Sequence, residues 1–193
     1  MYTWHWVSSA IFLCSTVFFA FTGITLNHAG SIPSNTHKVE KVVELKGELI
    51  AKLIKEVPNK PESFPKYAQD WLKQTHQIKL HPHKIEWDEQ EVYLDMSYPG
   101  GDAWMSIDFT TKELIYENTY RGTIAFINDL HKARHTGSLW AWYLDITSAA
   151  IIFFSLTGLV LLYIHAKRRK LTWPSVLTGL FIPVIIALYL NHI

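Results

Sequence analysis

The absence of charge constrains this chain more than any residue it contains. No Asp, Glu, Lys or Arg precedes Lys38, so residues 4–26 form an uninterrupted apolar run. At ~1.5 Å per residue, a helix of that length spans the ~30 Å hydrocarbon core of a bilayer. Residues 139–164 form a second run, broken only by Asp145, and residues 173–190 a third, uncharged but carrying Pro174 and Pro183. Those prolines predict a kinked or tilted third span. The first run is too long for the apolar region of a cleaved leader, follows no basic residue and lacks a small-x-small site after Leu26, so a retained anchor is expected. The overall composition, 49% hydrophobic and 18% charged, hides this division because a polar middle dilutes the spans.

Orientation follows from His165-Ala166-Lys167-Arg168-Arg169-Lys170, which places four of the eighteen basic residues in a short loop beside a span. Such loops stay cytoplasmic. The expected fold is an α+β membrane protein of three helical spans, with an extracytoplasmic α+β domain inserted between spans 1 and 2. Its parts are span 1 over 1–28 with a cytoplasmic N-terminus, the domain over 29–138, span 2 over 139–165, a basic loop over 166–172 and span 3 over 173–193. In a bacterial inner membrane the inserted domain faces the periplasm. Its fourteen Lys and Arg are mixed with sixteen Asp and Glu, which leaves no footprint for nucleic acid. The lone Cys14 excludes intrachain disulfides, iron–sulfur clusters and covalent CxxCH haem attachment within one chain. It is expected to pack as a small buried hydrophobe.

Within the inserted domain, Val39, Val42, Val43, Leu45, Leu49, Ile50, Leu53 and Ile54 recur at roughly helical spacing, which predicts a first helix ending before Pro58. A second helix is expected over 63–75. After His81-Pro82-His83 the period changes to two, with Val92, Leu94 and Met96, then Met105, Ile107 and Phe109 facing away from Trp104, Ser106 and Asp108. Turns at Pro99-Gly100-Gly101-Asp102 and Thr110-Thr111-Lys112 complete a meander of three or four strands.

Histidine stands at both ends of the first two spans: His5 and His28 on the first, His131 and His135 before the second and His165 after it. The spans also share a phrase, Phe18-Phe19-Ala20-Phe21-Thr22-Gly23 and Phe153-Phe154-Ser155-Leu156-Thr157-Gly158. Antiparallel packing would bring His28 near His131 or His135, and His5 near His165. Paired imidazoles at two depths are what one or two bis-histidine haems require. Spaced four apart, His131 and His135 are expected on one helix face, either able to ligate, with His135 nearer the membrane. The alternative is that each imidazole, like the nearby Trp and Phe, is an interfacial residue. His5 and His28 lie about 35 Å apart along a straight helix at ~1.5 Å per residue, a long gap for direct electron transfer. Without GxGxxG or a cytoplasmic domain for nicotinamide or flavin, electrons are expected from membrane quinol or a partner protein. Asp145, a costly carboxylate in a span, is the candidate to accept a quinol proton or contact haem. His76, His81 and His83 form a further cluster, read as an exposed turn or a metal site.

Asp108-Phe109-Thr110-Thr111-Lys112-Glu113-Leu114 resembles the strand-turn-strand of a PepSY domain. Asp129-Leu130-His131-Lys132-Ala133-Arg134-His135-Thr136-Gly137, followed by Trp140-Ala141-Trp142-Tyr143-Leu144-Asp145, resembles the entry to a PepSY-associated transmembrane helix. Thr22-Gly23 and Leu156-Thr157-Gly158-Leu159 fit the same pattern. The resemblance implies a short member of a family that includes inner-membrane ferric and ferric-siderophore reductases carrying haem b. It also implies ferric iron or a ferric chelate as substrate, and a second copy or a ferrous-iron transporter as further partners. PepSY domains are associated with protease inhibition too, so a membrane-tethered interaction module regulating a protease or transporter is the competing expectation.

Overall fold

A computed structural model describes residues 2–81 and 84–192. Three helices are long and apolar enough to cross a membrane: α1 (Tyr2–Asn27), α5 (Gly137–His165) and α6 (Thr172–Asn191). Between the first two lie β1 (His37–Glu44), α2 (Gly47–Ile54), α3 (Lys66–His76), β2 (Lys84–Trp87), β3 (Glu91–Asp95), β4 (Gly101–Asp108), β5 (Glu113–Tyr120) and α4 (Thr123–His131). The chain divides into two compact units, Met1–Phe18 with Tyr143–Ile193, and Phe19–Trp142.

In the first unit, α1 and α5 meet through small and hydroxyl-bearing side chains. Ser15 and Tyr143 share a 2.7 Å hydrogen bond, and Ser8, Thr147 and Thr157 are buried. Spans have no hydrophobic drive to associate within lipid, so close approach and hydroxyl contacts hold them. Several hydroxyls fold back on their own helix, Ser8 donating to the His5 carbonyl, Thr16 to Phe12 and Thr157 to Phe154. Cys14, expected to be buried, is exposed on α1. Helix α6 runs unbroken through Pro183 and buries none of its residues.

The second unit centres on a five-stranded antiparallel sheet of order β1-β5-β4-β3-β2. Alternation along β3 to β5 turns Val92, Leu94, Met105, Ile107 and Leu114 inward, where they form one core with Ile50 and Leu53 of α2 and Ala68 and Leu72 of α3. The β4–β5 turn is set by Asp108, whose Oδ1 accepts from the backbone N–H of Thr110 (2.7 Å) and Thr111 (2.8 Å). Those bonds favour the ionised carboxyl and hold its pKa below the ordinary value.

One element departs from expectation. The first predicted helix begins only at Gly47, and the residues before it form β1, paired with β5 from His37 opposite Tyr120 to Glu44 opposite Glu113. The valines at 39, 42 and 43 mimic a helical stripe, but Val39 and Val42 are exposed. β-Branched residues suit a pleat, and β5 offers backbone groups that need partners. The strand therefore forms for its ladder rather than for a buried face.

Candidate functional site

Each copy of the repeated Phe-Phe-x-x-Thr-Gly phrase receives one histidine. Phe154, Thr157 and Gly158 fall at i, i+3 and i+4, so they share one face of α5. His5 of α1 lies on that face: its Nδ1 is 3.1 Å from Thr157 Oγ1, and its ring stacks on Phe154 with centroids 4.6 Å apart. Gly158 leaves the room, since a Cβ there would stand 3.2 Å from His5 Cε1. In the second unit Phe19, Thr22 and Gly23 repeat the arrangement on α1. His131, at the end of α4, places Nδ1 2.7 Å from Thr22 Oγ1, meets Phe19 edge-on at 5.6 Å, and lies 3.8 Å from where a Gly23 Cβ would be.

Helix α4 presents His131 because two of its faces are anchored. Asn128, one turn back on the same side, makes a buried 2.8 Å bond with Thr25 of α1. Next to it, the buried Asp129 accepts from the Gly100 N–H (2.9 Å) and the Arg121 Nη2 (2.7 Å), tying α4 to the sheet.

The hydroxyls then favour one imidazole tautomer. Thr157 donates its single proton to the Phe154 carbonyl (2.9 Å), and Thr22 donates to Phe19 (3.2 Å). With the hydroxyl protons so placed, both threonine oxygens accept from a histidine Nδ1–H, the tautomer that keeps a lone pair on Nε2. His165 Nδ1 lies 2.8 Å from the Leu161 carbonyl, which can only accept. A histidine that donates one N–H to an outer partner while offering the other nitrogen is arranged as metal-binding histidines are. His5 and His165 line one open cleft of about 650 Å³, together with Phe154, Gly158, Arg169 and Thr172. That volume lies in the ~300–1,000 Å³ range of cofactor and ligand sites. The cleft therefore gathers two imidazoles, and Arg169 offers a cation on its wall.

A model of the PepSY_TM-like family matches residues 1–192. The chain belongs to the PepSY_TM-like family. No curated protein and no solved structure matches it.

The remaining predicted residues of this PepSY_TM-like protein are placed as follows. His131 and His135 do not share a helix face, because α4 ends at His131 and the chain turns through left-handed Ala133 (φ 54°) and His135 (φ 57°). Nε2 of His135 accepts from Arg134 Nε at 3.1 Å, so the lone pair offered by His131 is engaged in His135. His28 is exposed just past the end of α1, and Asp145 is exposed on α5 outside both histidine clusters. His76 packs against the Trp71 ring and His81 lies 6.0 Å from the Tyr98 ring, while His83 lies outside the described residues. Among the described residues no three His, Cys, Asp or Glu side chains gather as a bare metal site. Sequence reasoning paired the histidines end to end and missed their threonine partners. The available signal was Phe, Thr and Gly at i, i+3 and i+4 in both spans.

Proposed function

We propose that this PepSY_TM-like protein is a b-type haem ferric reductase of the bacterial inner membrane. It takes electrons from membrane quinol or a redox partner and delivers them to periplasmic ferric iron or ferric chelates, for uptake as ferrous iron. The observation that carries this reading is the repeated cluster in which a threonine favours the histidine proton on Nδ1 and leaves Nε2 free to ligate. Haem b, when bound, would supply a one-electron couple and would be held by imidazole. In the first unit His5 and His165 would hold it, with Gly158 giving clearance and Arg169 available to a propionate. In the second unit His131 is the favoured ligand, with His28, or His135 once released from Arg134, as its counterpart. Oxidation of one quinol releases two electrons and two protons, which balances the reduction of two ferric ions. Asp145 is the carboxylate assigned to accept a proton.

The purified protein is expected to show the reduced α band of haem b in dithionite. His5→Ala and His131→Ala should each weaken that band, and His135→Ala should leave most of it. Asp145→Asn should slow quinol-dependent ferric reduction while leaving the dithionite spectrum unchanged. A colourless wild-type protein overturns the reading and leaves the membrane-tethered interaction module in its place.

A further inference from the structure

A second concavity, of about 260 Å³, opens beside the His131 cluster in the same unit. It lies between α4 and the segment that follows α1, and Asn128, the residue bonded to Thr25, forms part of its wall. Three cations line it, Arg121, Lys132 and Arg134, against one carboxylate, Asp129. Asp129 pairs with Arg121 at 2.7 Å, and Asp102 reaches both Arg121 (3.0 Å) and Arg134 (3.6 Å). Three positive charges thus meet two negative ones, and Lys132 has no acidic partner among the described residues. The hydroxyls of Ser34 and Thr36 add neutral polar groups to the rim.

We propose that this pocket binds an anionic oxygen group, a carboxylate or phosphate, through Lys132 with Arg121 and Arg134. Its small volume suits one arm of a ligand rather than a whole chelate. Guanidinium and ammonium groups bind such oxygens through short, charge-assisted hydrogen bonds. Two sources carry this chemistry: a carboxylate-type ferric chelate, and the phosphate of an anionic lipid headgroup at the end of α1. As a dock for a chelate the pocket rests on the ferric-reductase reading and gives that reaction a preference for anionic over neutral iron complexes. As an anion site it stands without haem.

The test uses the full-length protein in nanodiscs and gallium(III) citrate, a redox-inert probe, so that binding is read independently of colour or turnover. Lys132 is exposed, and Lys132→Gln and Lys132→Glu leave the core untouched. In phosphatidylcholine discs, gallium citrate is expected to bind in a salt-dependent manner and to weaken about tenfold or more in Lys132→Glu. Lys132→Gln should fall between, and a neutral gallium hydroxamate should be unaffected by either. If phosphatidylglycerol in the disc competes with citrate, and Lys132→Glu abolishes the competition, the headgroup is the occupant and the anion site stands. Equal citrate binding by wild type and Lys132→Glu with no lipid competition, or equal loss of the neutral complex, overturns the proposal. A colourless protein that still binds gallium citrate through Lys132 removes the reductase and keeps the pocket.

Discussion

Two threonines decide what the histidines beside them can do. Replacing Thr157 by Val keeps the shape but removes the oxygen that receives the His5 Nδ1–H, so the ring loses its preference for one proton position. Loss of such an outer partner costs roughly 10–100-fold in metal-site affinity. Haem titration of Thr157→Val and Thr22→Val should show that weakening, whereas Thr→Ser at either position should retain most of the affinity. The two glycines should separate under the same measurement. A methyl at 158 stands 3.2 Å from His5, tighter than ordinary contact, so Gly158→Ala should displace the ring and reduce haem content. At 23 the distance is 3.8 Å, and Gly23→Ala should be nearly silent. Equal effects of the two alanines would contradict this. At this scale the sequence was half legible: the repeated phrase and the histidines stood out. The hydroxyl that joins them did not, because it follows from which turn of helix faces which.

Helix α4 is the element on which the second cluster depends. Asp129 is 3% exposed and holds both Gly100 and Arg121, so Asp129→Ala leaves a half-buried guanidinium without this carboxylate and frees a backbone donor. The expected loss is about 2–3 kcal/mol, below the range for a fully buried pair because Arg121 is partly exposed. Thermal unfolding should report it, and haem bound through His131 should weaken in parallel, while His5-dependent haem persists. The strand ends carry a separate pH response. Asp108 and Asp95 both have carboxyls held below the usual range, by the Thr110 and Thr111 amides and by Ser97 respectively. A depressed folded pKa gives stability that is complete above the unfolded value near ~3.9 and is lost as pH falls through the lower folded value. Amide exchange at Thr110 and Thr111 should therefore stay slow through mild acid and quicken only below that range, and Asp108→Asn should remove the acid dependence. Elements with a strong period were readable, as α3 and β3 to β5 show. β1 was not, since valines at 39, 42 and 43 satisfy a helical count. Only β5, distant in sequence, supplies the ladder that makes them a strand.

Across the whole molecule, charge-free length announced three membrane-crossing helices and the change of period announced an inserted sheet domain, because both follow from solvent and backbone alone. What stayed hidden depends on contacts between distant segments: a histidine from α1 resting on α5, and one from α4 resting on α1. The hydroxyls that bend back onto their own carbonyls, in Ser8, Thr16, Thr22 and Thr157, have a consequence for biogenesis. Each already satisfies its proton within a single helix, so a newly made segment can leave the ribosome's exit path and enter lipid without carrying an open polar group. In Thr22 and Thr157 the oxygen lone pairs become useful only when an imidazole arrives, and the chemistry of the finished protein is thereby concealed from the step that inserts it.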